Sequence, residues 1–139
     1  MTSLPAIKSL RDGAVRAIRA ADLDIKTLLT QETARRWNER TLSLRSPLDM
    51  AVPDRPGRPE KPDLIPPRQM PKRALTTDKG RIALLHAIAH IELNAVDLAL
   101  DIVARFATEP VPNSFFDGWM KVAFEEAKHF RMVRDRLRQ

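Results

Sequence analysis

The sequence predicts an all-α protein, and three observations carry that reading. Apolar residues recur at helical spacing through residues 5–40. Two long amphipathic segments fill the C-terminal half. Eight of the eleven prolines are confined to the stretch from Ser46 to Pro71, between these two helical regions. The expected division is an N-terminal helical region over 1–45, a proline- and arginine-rich strap over 46–77 and a helical hairpin over 78–139.

At 139 residues with 43% hydrophobic content, the chain has the size of one domain with one core. It contains no cysteine, which excludes disulfides, thiolate metal sites, iron–sulfur clusters and a cysteine nucleophile. Any bound metal must be held by carboxylate oxygen and imidazole nitrogen. The N-terminus shows neither an export signal nor a run approaching about 18 apolar residues, so a cytoplasmic protein without a membrane segment is expected. The net charge of +6 is uneven. Residues 1–78 hold 15 Lys/Arg against 10 Asp/Glu, and residues 79–139 hold 9 against 8.

In the first region, Ile7, Leu10, Ala14, Ala17 and Ile18 form one helical run, and Ile25, Leu28, Leu29 and Trp37 follow in a second. Asp22 suits the N-cap of the second helix. The proline density that follows permits neither helix nor central strand. Two states are open for it: a disordered linker, or an extended strap laid over helices by Leu48, Met50, Val52, Leu64, Ile65 and Met70. The strap is favoured, because polyproline-type backbone has little entropy to lose on docking. Thr77 or Asp78 caps a helix running from about Lys79 to Phe106. Pro110 and Pro112 end it, and a last helix spans about Phe115 to Leu137.

A helix turns about 100° per residue, so spacing assigns directions. With Glu92 as reference, Leu85, Ile88, Ala89, Ala95, Val96, Ala99, Val103 and Phe106 lie within about 60° of it, while Asn94, Asp97, Asp101 and Arg105 lie opposite. Around Glu126, the same arc holds Phe115, Trp119, Val122, Ala123, His129, Phe130, Val133 and Leu137. Both glutamates are therefore expected inside, at similar depth from the connecting loop, where an isolated carboxylate would have to be neutralised. Glu126 and His129, at i and i+3, can reach one ion together. The candidate metal ligands are thus Glu92, Glu126 and His129. The competing reading is that these groups are satisfied by arginine or by one another. His86 and His90 form a second i, i+4 pair pointing away from Glu92, and are read as packing beneath the N-terminal region.

Several runs resemble a bacterial family of ferritin-like proteins of unknown function. They are Arg81-Ile82-Ala83-Leu84-Leu85-His86-Ala87-Ile88-Ala89-His90-Ile91-Glu92, Phe115-Phe116-Asp117-Gly118-Trp119, Glu125-Glu126-Ala127-Lys128-His129-Phe130 and Asp54-Arg55-Pro56-Gly57-Arg58-Pro59. The resemblance implies a ferritin-like helix pair, half of a four-helix bundle, with Glu92 on one helix and Glu126 and His129 on the next. It also implies a second glutamate and a second Glu-x-x-His that this chain does not contain. Either the chain is an inactive fragment, or two copies form a homodimer that rebuilds the bundle, which is favoured.

With such a site the expected cofactor is a pair of iron or manganese ions. The expected chemistry is that of an oxidase, hydroxylase or ferroxidase acting with dioxygen on an unknown small-molecule substrate. The opposing expectation is a non-enzymatic interaction module in which the basic strap and first helices bind RNA or another acidic partner. It is disfavoured, because no aromatic platform interleaves with those basic residues and the chain has no tyrosine.

Overall fold

The computed structural model describes residues 6–60 and 76–138. Within them lie four helices and no strand: α1 (Leu10–Arg19), α2 (Leu23–Asn38), α3 (Asp78–Phe106) and α4 (Asn113–Leu137). The strap positions Leu64, Ile65 and Met70 lie outside the described residues.

Local signals set the helix ends. The Ser9 hydroxyl accepts from the Asp12 amide and starts α1 at Leu10, later than the apolar run suggests, so that Ile7 is buried ahead of the helix. Asp22 caps α2 by accepting from the amides of Asp24 and Ile25. Thr77 rather than Asp78 caps α3, accepting from Gly80. Pro112 occupies the cap position of α4, where its missing N–H is no loss.

The long pair α3 and α4 folds back through residues 107–112, and the short pair forms a second layer, with α1 against α3 and α2 against α4. One core joins them: Leu10, Val15 and Ile18 from α1, Leu29 and Trp37 from α2, Val96, Leu100 and Val103 from α3, and Phe116 and Met120 from α4. A smaller cluster of Leu23, Ala89, Leu93 and Phe130 extends it. Close approach of α1 to α2 requires glycine, because a Cβ on Gly13 would stand 2.3 Å from Thr33 Oγ1.

The buried faces of α2 and α3 differ from those expected. In α2, Ile25 and Leu28 are exposed, and Leu23, Lys26, Thr27, Thr30, Thr33 and Trp37 turn inward. The threonines tolerate this where their hydroxyls return to the helix's own carbonyls, as Thr27 does to Leu23 and Thr30 to Lys26. In α3 the buried stripe is Ala89, Leu93, Val96, Asp97, Ala99, Leu100, Val103 and Ala104, which centres on the side of Val96 and Leu100, so Glu92 stands toward its edge rather than at its centre.

Residues 46–60 cross the α1–α3 side without regular structure. Met50 and Val52 pack on the core. Arg11 donates to the carbonyls of Met50 and Ala104, and the Gly57 amide donates to Ile18 O at 2.7 Å. A Cβ at Gly57 would lie 2.2 Å from Arg19 O, so the contact depends on glycine. Among the described residues no helix is long and apolar enough to cross a membrane.

Candidate metal centre

Helices α3 and α4 bring Glu92, Glu126 and His129 together, with one ligand atom of each within 4.8 Å of the others. His129 Nδ1 stands 3.8 Å from Glu92 Oε2 and 3.9 Å from Glu126 Oε2. These separations exceed hydrogen-bond distance, so the three groups do not satisfy one another. The two glutamates are mostly covered, at 21% and 26% side-chain exposure, and the imidazole is half exposed at 52%. The cluster therefore opens at the surface rather than lying sealed in the core.

Its electrostatics are unbalanced. Neither glutamate has a lysine or arginine partner among the described residues. Glu92 Oε2 is itself buried with no hydrogen-bond partner. An anionic oxygen removed from water without a donor is costly, so the site favours either a proton or a cation. Two carboxylates and an imidazole are a hard and borderline donor set that suits a first-row divalent ion. Glu125 is exposed and faces α2, outside this group.

On the opposite side of α3 the structure contains a second ionic group that the periodicity did not reveal. Lys26 is fully buried, and its ammonium donates to Ala17 O at 2.9 Å, Ile18 O at 2.8 Å and Asp97 Oδ1 at 2.7 Å. The other Asp97 oxygen accepts from Arg58 at 2.5 Å, and Arg58 also donates to Asn94 Oδ1. Three donors meet three acceptors at Lys26, two of them C-terminal carbonyls of α1, where positive charge is favoured. Burial pulls the Lys26 pKa below its ordinary value, against the opposing pull of Asp97. His90 lies beside this group and approaches Asn94, and burial with the nearby Arg58 charge lowers its pKa. His86 Nδ1 is buried without a partner. A sequence signal for the group existed in Asp97, an acid on the α3 face that turns toward the N-terminal helices.

A groove of about 900 Å³ runs between α2 and α4, lined by Leu28, Trp37, Met120 and Phe124 with charged residues at its edge. None of the three clustered donors lines it. At one end Trp37 Nε1 donates to Asp117, and Arg40 pairs with both Asp117 oxygens from a left-handed backbone (φ 62).

Comparison with known proteins brings a family without an assigned activity. A family described as protein of unknown function, DUF455, matches residues 19–139. An uncharacterized protein of Haemophilus influenzae is 46% identical over 85 residues, covering 58% of this chain. The matched segment spans only 30% of that relative's own length. No solved structure matches the chain.

Proposed function

We propose that this chain, which belongs to the DUF455 family of proteins of unknown function, is a metal-binding helical protein of ferritin-like type. In this reading α3 and α4 are half of a four-helix bundle and carry half of a carboxylate-bridged di-metal centre. The carrying observation is the convergence of Glu92, Glu126 and His129 around a carboxylate oxygen that is buried and has no partner.

The Glu92 and Glu126 carboxylates would hold the metal as anionic oxygen ligands and His129 as a neutral nitrogen ligand. A bound iron or manganese pair supplies redox chemistry toward dioxygen or peroxide, the basis of oxidase, hydroxylase and ferroxidase activities. The chain's own contribution is geometric. Two packed helices fix the donor spacing, and the cover over both glutamates limits water at the ligand atoms. Three ligands do not fill the coordination of such an ion, so the remaining ones come from water, substrate or another protein surface.

The alternative of a nucleic-acid module has less support. Arg11, Arg16, Lys26 and Arg58, four cations of the basic half, are engaged by backbone carbonyls, Asp12 or Asp97 inside the fold.

Metal content measured after purification from minimal medium supplemented with iron or manganese tests the proposal. Glu92→Gln, Glu126→Gln and His129→Ala should each lower bound metal while far-UV circular dichroism stays unchanged, because each removes a ligand and none removes core packing. Equal metal stoichiometry in wild type and all three variants would refute the assignment.

A further inference from the structure

We draw no further inference here: the strongest candidate, the groove of about 900 Å³ between α2 and α4 over Leu28, Trp37, Met120 and Phe124, has rim cations Arg35 and Arg40 already paired with Glu32, Glu39 and Asp117, and nothing in the structure shows what covers it.

Discussion

Replacement of Asp97 by alanine should be among the most damaging single changes to this fold, and the structure sets its size. The Lys26 ammonium is fully buried and has Asp97 as its anion, at 2.7 Å. Without that carboxylate, Lys26 retains the carbonyls of Ala17 and Ile18 but no neutralising charge. Removing one partner of a buried pair costs about 3–5 kcal/mol, a large part of the roughly 5–15 kcal/mol that holds a domain together. Arg58→Ala acts on the same carboxylate with a different outcome. Arg58 is 31% exposed and leaves the Lys26–Asp97 pair intact, so the loss is that of its charge-assisted hydrogen bond to Asp97 and the exposed one to Asn94, together about 1–3 kcal/mol. Urea unfolding followed by far-UV circular dichroism and tryptophan fluorescence measures both. The reasoning fails if Asp97→Ala costs less than about 1 kcal/mol, or if Arg58→Ala costs as much as Asp97→Ala.

Three further predictions concern the periphery and the charge states. Gly57→Ala should destabilise, reversing the usual gain of about 0.4–1 kcal/mol for this substitution, because the added Cβ meets Arg19 O at 2.2 Å; limited proteolysis at Arg55 should accelerate. Lys26 should make stability depend on alkaline pH. Its folded pKa lies below the unfolded value of 10.5, so its contribution is fully present above that value and is lost as pH falls through the folded pKa; Lys26→Met should remove this slope. Arg40 and then Trp37 hold the Asp117 carboxyl below its ordinary 3.8, so its contribution is present above pH 3.8 and is lost as pH falls through the lower folded value. Trp37 fluorescence should follow that loss and should not in Asp117→Asn.

Helix existence, and most boundaries apart from the start of α1, were legible because they depend on local chemistry. Asp22, Thr77 and the prolines at 110 and 112 cap or break helices wherever they occur. The direction each helix faces was less legible. Helix α3 is apolar nearly all round, so its period does not choose between a stripe centred on Glu92 and the observed one through Leu93, Val96 and Leu100. In α2 the inward face is polar by type, and its Lys26 and threonines enter the interior only because backbone carbonyls and Asp97 receive their hydrogens. A count of apolar residues is blind to that compensation and selected Ile25 and Leu28 instead. The meeting of Glu92 with Glu126 and His129 survived the error, because it depends on axial depth along two antiparallel helices and on an edge position that α4 also reaches.

Two carboxylates on α3 show how differently the fold treats buried negative charge. Asp97 and Glu92 are five residues apart, about 140° around the helix, and both hold oxygens shielded from water. Around Asp97 the chain places a buried lysine from α2 and an arginine from the strap, and even spends a glycine at position 57 to bring that arginine in. Around Glu92 it places a second glutamate and a histidine, and no lysine or arginine among the described residues. The fold neutralises one acid with two side chains of its own and gathers at the other a Glu/His cluster that could hold a cation. That contrast within one helix, more than the Glu-x-x-His spacing, gives the metal reading its weight.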